Sequence, residues 1–208
     1  MAITTFSTLK TAILAWAERT DLTSYDDDFV NLADARIRKD LAGQSIRLRE
    51  METSTDLTPS SGAVSVPSNF LAMKRVQAQT SDKRRLQYQT QDWLDEAYPD
   101  GASGVPSFYT IAGSSLYMFP LTTSSIRITY YAYPTALSDD DPTNWLLTKY
   151  PDIYLYAGLV ELELYTGNTE GVSKWLSAYS AAMEGLAASG ADESITPGTS
   201  RATAGGAW

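Results

Sequence analysis

The 208-residue sequence contains no cysteine and no histidine. Those absences exclude disulfides, thiolate nucleophiles, Cys/His zinc sites and any Ser-His-Asp relay. Acid–base chemistry would fall to carboxylates, lysine or tyrosine. No stretch is long and apolar enough to span a bilayer. The opening MAITTFSTLKTAILAWAERT has no basic leader ahead of a continuous hydrophobic run. Its apolar residues Ile3, Phe6, Leu9, Ile13, Trp16 and Ala17 recur at helical spacing, so a helix rather than a signal peptide is expected, in a soluble chain. Neither G-x-x-x-x-G-K-[ST] nor G-x-G-x-x-G occurs, which argues against a nucleotide-driven motor. No internal repeat is visible.

Cations are scarce. Sixteen Lys and Arg face 25 Asp and Glu, a net charge of −9, whereas general nucleic-acid binding needs clustered cations. The imbalance is uneven. Residues 46–90 carry 7 basic and 4 acidic groups, net +3, while residues 135–208 carry 3 and 10, net −7. A basic middle and an acidic last third suit either a self-association interface or ordinary solvated surface. The length fits one domain, or one domain with an insertion, and allows a core that needs no disulfide or metal.

Periodicity divides the chain. A helix is expected over Thr4–Arg19. A second follows Asp26, Asp27 and Asp28, whose carboxylates complement a helix N-terminus; its apolar face is Phe29, Leu32, Ala33, Ile37 and Leu41, and Gly43 is its stop. From Ser45 the period becomes two, with Ile46 and Leu48 alternating against Arg47 and Arg49, the pattern of a half-buried strand. Val64 and Val66 form a short strand ending at Pro67. KRRLQYQT reads as a strand with Leu86 and Tyr88 inward, and TQDWLDEAYP as a short helix capped by Thr90 with Trp93, Leu94 and Ala97 inward. Phe108–Ala112 and Leu116–Phe119 flank Gly113-Ser114, a hairpin signal. In SSIRITYYAYP, Ile126, Ile128, Tyr130 and Ala132 share one face, and tyrosines on both faces imply that neither is fully solvated. Two helices close the pattern. The first, PDIYLYAGLVELELYTG, is apolar nearly all round and therefore central. The second carries Val172, Trp175, Leu176, Tyr179, Met183 and Leu186 at helical spacing.

The expected fold class is α+β: an antiparallel helical bundle from residues 1–44 and 135–189, an inserted β-rich region at 45–134, and an extended C-terminal tail at 190–208. The tail is small and polar, and alone it would be disordered.

Candidate chemistry centres on LSDDDPTNWLLTKYPDIYLYAGL, Leu137 to Leu159. Asp139, Asp140, Asp141 and Asn144 invite a Ca²⁺ reading, but calcium loops alternate their ligands and end on Glu at position twelve, which here is Tyr150. The alternative is a helix start in which Asp141 caps, Pro142 takes the first helical position, and Trp145, Leu146 and Leu147 enter the core. Pro151-Asp152 would repeat the device. Glu161 and Glu163 stand two apart on a helix and cannot face one substrate; Glu50, Glu52 and Glu96 read as surface. Trp16, Trp93, Trp145 and Trp175 sit at core spacings. Trp208, beyond Gly-Gly, suits anchoring in a partner's pocket or is an idle terminus. No catalytic residue, metal site or cofactor is expected.

In order, the N-terminal helix pair, VSVPSNFLAMKRV, FYTIAGSSLYMFP, IRITYYAYPTALSDDDPTNWLL, and YPDIYLYAGLVELELYTG leading to Trp175 and Tyr179 resemble the head–tail adaptor (connector) proteins of tailed bacteriophages, the short-tailed-phage tail tubular A type in particular. The resemblance covers about residues 3–189. It implies a structural virion protein at the head–tail junction: a ring, dodecameric in the family, that joins the portal to a downstream tail or nozzle protein and extends a channel through which DNA passes without specific binding. By position alone, the tail would reach the portal, making Ile195, Pro197, Arg201 and Trp208 candidate portal-binding residues. From another class, a phage tail-associated carboxylate-dependent cell-wall hydrolase or glycan-binding module would require a pair of buried acids in one cleft.

Overall fold

Reciprocal hydrogen bonds start the first helix: the Thr8 amide donates to Thr5 Oγ1, and the Thr5 amide donates to Thr8 Oγ1. A computed structural model describes residues 2–80, 83–99 and 101–194, with side chains as far as Gly190. The elements are α1 (Phe6–Trp16), α2 (Asp26–Gly43), β1 (Glu52–Leu57), β2 (Ala63–Ser65), β3 (Phe70–Ala78), β4 (Gln87–Tyr88), α3 (Gln91–Ala97), β5 (Phe108–Ala112), β6 (Ser115–Phe119), β7 (Ile126–Ala132), α4 (Trp145–Lys149), α5 (Pro151–Thr166) and α6 (Thr169–Ser194). They form two compact units. The chain up to Arg49 joins the chain from Leu137 onward in a helical unit, and Glu50–Ala136 makes the other.

In the helical unit, α5 lies against α1, α2, α4 and α6. Being apolar nearly all round, it buries Ile153, Tyr154, Leu155, Ala157, Leu159, Val160 and Leu162. Pro151 occupies its first turn, where a missing N–H is harmless, and Gly167 ends it in the left-handed conformation at φ 73°. Gly158 lets α1 come close: a Cβ there would stand 2.3 Å from Ile13 Cδ1. The first turn of α2 holds Asp26, Asp27 and Asp28, and Lys10 Nζ lies 2.6 Å from Asp27.

In the second unit, β7 is central to a three-stranded antiparallel sheet of order β1-β7-β3, and a four-stranded sheet runs β2-β6-β5-β4. Ile126, Ile128, Tyr130 and Ala132 meet Val76, Ala78, Leu86, Leu116 and Met118 in one apolar core. The other face of β7 is covered at Thr129, which is buried and hydrogen-bonded to Ser54 Oγ at 2.9 Å. Residues Gly113-Ser114 join β5 to β6 as a two-residue loop, with Gly113 at φ 59°, the conformation a II′ turn asks of its first central residue.

Several expectations need correction. The first helix ends at Trp16 rather than Arg19, since Glu18 turns into the left-handed region. No strand begins at Ser45. Ile46 and Leu48 are buried in the helical unit without strand pairing, the Ile46 amide donates to the Leu41 carbonyl, and the Arg47 guanidinium donates to the Ile46 carbonyl. Period-two burial there serves a helix exit. Tyr88 (58% exposed), Trp93 (40%) and Trp16 (54%) are not core residues, and Ala97 is exposed too, so Leu94 is the only buried residue of α3. Thr90 makes no side-chain cap. Their rings pack on other partly exposed rings instead: Trp93 edge-on to Phe108 at 5.1 Å, Trp16 against Trp175 at 5.8 Å. On α6, Tyr179, Met183 and Leu186 are buried, but Leu176 is 40% exposed. That helix also continues through Gly190 to Ser194, past the expected start of the tail. Gly190 sits where a Cβ would meet Leu48 at 2.8 Å, so its smallness serves packing rather than a break.

Candidate functional site

The stretch from Leu137 resolves into an exposed turn and a buried cap. The Asp141 amide donates to Ser138 Oγ, and the Ser138 amide donates to the Asp141 carbonyl, both at 3.0 Å. The Phe6 amide donates to the Pro142 carbonyl at 2.6 Å, tying the turn to the start of α1. The cap of α4 is Asn144, not Asp141, and Pro142 lies outside the helix. Asn144 Oδ1 accepts the Leu147 amide at 2.8 Å, while its Nδ2 donates to the Tyr154 hydroxyl at 2.9 Å. That hydroxyl donates to Asp34 Oδ1 at 2.9 Å, and Asp34 Oδ2 takes Arg38 Nε at 2.5 Å.

Asp34 and Asn144 are each 8% exposed, and Tyr154 is fully buried. The Tyr154 phenol is pushed well above its ordinary range, first by burial and then by the neighbouring Asp34 charge. Tyr179 is raised in the same way by burial and by its 2.6 Å hydrogen bond to Asp40. Both phenols therefore stay protonated and act as donors that fasten α5 and α6 to α2. This arrangement fixes a scaffold.

The calcium reading fails on this geometry. Asn144 points into the unit while Asp139, Asp140 and Asp141 are exposed. Among the described residues, no group of three carboxylates is placed to hold a metal ion. The acid pair fares no better. Glu161 is engaged by Arg36 at 2.7 Å, and Glu163 accepts from Asn168 Nδ2 at 2.9 Å. Glu18, Glu163 and Glu170 do line one groove of about 500 Å³ between Trp16 and Trp175, with Lys174 beside them. The groove is open to solvent.

A model of the SU10 adaptor protein family matches residues 4–201. The chain belongs to the SU10 adaptor protein family. No curated protein matches it. It is thus a bacteriophage adaptor, a virion protein of a structural class that meets other head and tail components.

For an adaptor, the relevant sites are surfaces. Around the last turns of α5, Tyr165 packs on Tyr25 at 5.3 Å and on Phe29 at 5.7 Å, and Leu32 and Leu164 stand half exposed. Trp175 joins Trp16 on one side and stacks on Tyr156 at 5.9 Å on the other. Large rings left at a surface are the usual anchors of protein contacts. The adaptor's sequence placed Trp16 and Trp175 in the core and did not single out Tyr25 or Tyr165. Ile195, Pro197, Arg201 and Trp208 lie outside the described residues.

Proposed function

We propose that this adaptor assembles as a ring, dodecameric as in the short-tailed-phage tail tubular A type, that joins the portal to a downstream tail or nozzle protein and extends the DNA channel. The observation that carries the reading is the family match across residues 4–201. The net charge of −9 supports it, since an acidic conduit repels the duplex and lets it pass. A closed ring of identical chains needs two different complementary faces on each copy. The basic stretch within residues 46–90 and the acidic last third, residues 135–208, are two regions of opposite charge from which such faces can be made. The architecture we propose for that role is a bundle built from both chain ends, carrying the β-containing unit as an insertion.

Electron microscopy of the purified adaptor mixed with its phage's portal tests the reading. A ring seated on the portal is expected; a chain that stays monomeric and never joins the portal refutes it. Deleting residues 195–208 should leave the fold of the remaining chain intact and weaken portal docking. Undiminished docking would remove Ile195, Pro197, Arg201 and Trp208 as portal contacts.

A further inference from the structure

The β-containing unit has a groove of about 460 Å³ whose wall includes Lys74, Arg75, Arg85, Tyr88 and Tyr109 over buried Leu86. Its cations come from one short window: residues 74–85 hold five cations and one carboxylate in a chain of net charge −9. A register shift between Met73 and Arg75 in the β3–β7 ladder leaves the neighbours Lys74 and Arg75 both exposed, where a regular strand would send one to each face. Tyr88 and Tyr109 meet edge-on at 5.7 Å beside them. Lys74 is already paired with Glu52. Arg75 and Arg85 have no carboxylate within ion-pair distance among the described residues. Two guanidinium forks without an ion pair among the described residues, and two tyrosine rings, in a concavity make a seat for a carboxylate-bearing segment.

The same chain presents such a segment. Asp139, Asp140 and Asp141 are exposed, held in a closed turn by the two Ser138–Asp141 hydrogen bonds, and form no ion pair among the described residues, although Lys10 stands near enough to Asp139 to feel its charge. The other acidic run, Asp26–Asp28, is partly neutralised by Lys10 and by its helix N-terminus. We infer that the basic groove seats the Asp139–Asp141 turn of a second copy of this chain. The inference rests on the ring reading and names the two unlike faces that such a ring requires. A nucleic acid is the weaker fit, because so few groove cations release few counterions and the chain as a whole repels phosphate.

Charge reversal and mixing test it. Arg75→Glu/Arg85→Glu reverses the groove, and Asp139→Lys/Asp140→Lys/Asp141→Lys reverses the turn; both sets are exposed, so circular dichroism should stay native. In sedimentation velocity, each variant alone should associate at least about tenfold more weakly than the native chain. An equimolar mixture should regain the native assembly, since reversed groove then meets reversed turn only between unlike copies. The absence of cysteine permits a second measurement: Gln87→Cys chains mixed with Asp140→Cys chains under mild oxidation should form the heterodisulfide in excess of a statistical mixture. A native oligomer indifferent to both reversals, a mixture without rescue, or a statistical disulfide yield would overturn the groove assignment alone. So would a groove variant that loses a short fluorescent duplex while keeping its self-association. A native chain that sediments as a monomer at every concentration would instead remove the ring reading, and this inference with it.

Discussion

Replacing Tyr154 with phenylalanine isolates the buried polar link between α2, α4 and α5. The ring remains, so apolar burial and packing are retained, and what disappears is one hydroxyl that donates to Asp34 and accepts from Asn144. A hydrogen bond to a charged group contributes about 1.5–3 kcal/mol net. Asp34 keeps Arg38 on its other oxygen, which holds the loss toward the lower half of that range. We expect about 2 kcal/mol, a sizeable share of the stability of an ordinary domain. The assay is urea unfolding at neutral pH followed by far-ultraviolet circular dichroism, which reports the helical unit. Tyr156→Phe, on the same helix but half-buried, is the control and should lose less than about 0.5 kcal/mol. A double-mutant cycle with Asp34→Ala should show coupling of about 1.5 kcal/mol or more. A Tyr154→Phe loss no larger than the control, or strictly additive double mutants, would refute the claim that this hydroxyl ties the helices together.

Three further outcomes follow from the same geometry. Because the Tyr154 and Tyr179 phenols are raised above their ordinary value, their contribution is fully present below about pH 10 and is lost as pH rises toward their folded values. For Tyr154 the slope above that point is about 1.4 kcal/mol per pH unit, and urea midpoints measured against pH should show it flattened in Tyr154→Phe. Gly158→Ala drives a methyl into Ile13 and should cost about 1–3 kcal/mol in thermal unfolding, with part recovered by Ile13→Val, which removes the clashing Cδ1. Asp56→Asn should leave the unfolding midpoint unchanged, although Arg127 holds Asp56 through two 2.7 Å hydrogen bonds, because both groups are exposed on the β1–β7 pair.

Elements whose signals are local were legible. Asp26 and Gly43 bound α2 where the acid run and the glycine put them, Pro151 opens α5, and Gly113-Ser114 turns the β5–β6 hairpin. Partnerships across long sequence separations were not. Asn144 drew attention as a calcium ligand because three aspartates precede it, yet its side chain turns inward to a tyrosine ten positions on, which reaches an aspartate 120 positions back. Two signals were nonetheless present. An Asn three residues ahead of Leu147 is an N-cap pattern, and a tyrosine in a helix buried all round must find a hydrogen-bond partner. The alternation of Ile46 and Leu48 misled for a related reason: a period of two records which side chains are buried, not whether a neighbouring strand buries them.

The errors about aromatic residues are of another kind. Trp16, Tyr88 and Trp93 sit at apolar spacings, and in a chain that acted alone the economical place for each would be the core. They lie at the surface instead, each against another ring: Trp175, Tyr109 and Phe108 respectively. A hydrophobic stripe states how much apolar surface a helix or strand presents, but not whether its own chain or another covers it. Departures from local expectation gather where function competes with folding, and for a member of an adaptor family that place is the contact surface. The groove beside Tyr88, the aromatic groups around Trp16 and Tyr165, and the Asp139–Asp141 turn are consequently the targets for interface mutagenesis. On this reasoning the aspartates matter as what one copy offers another.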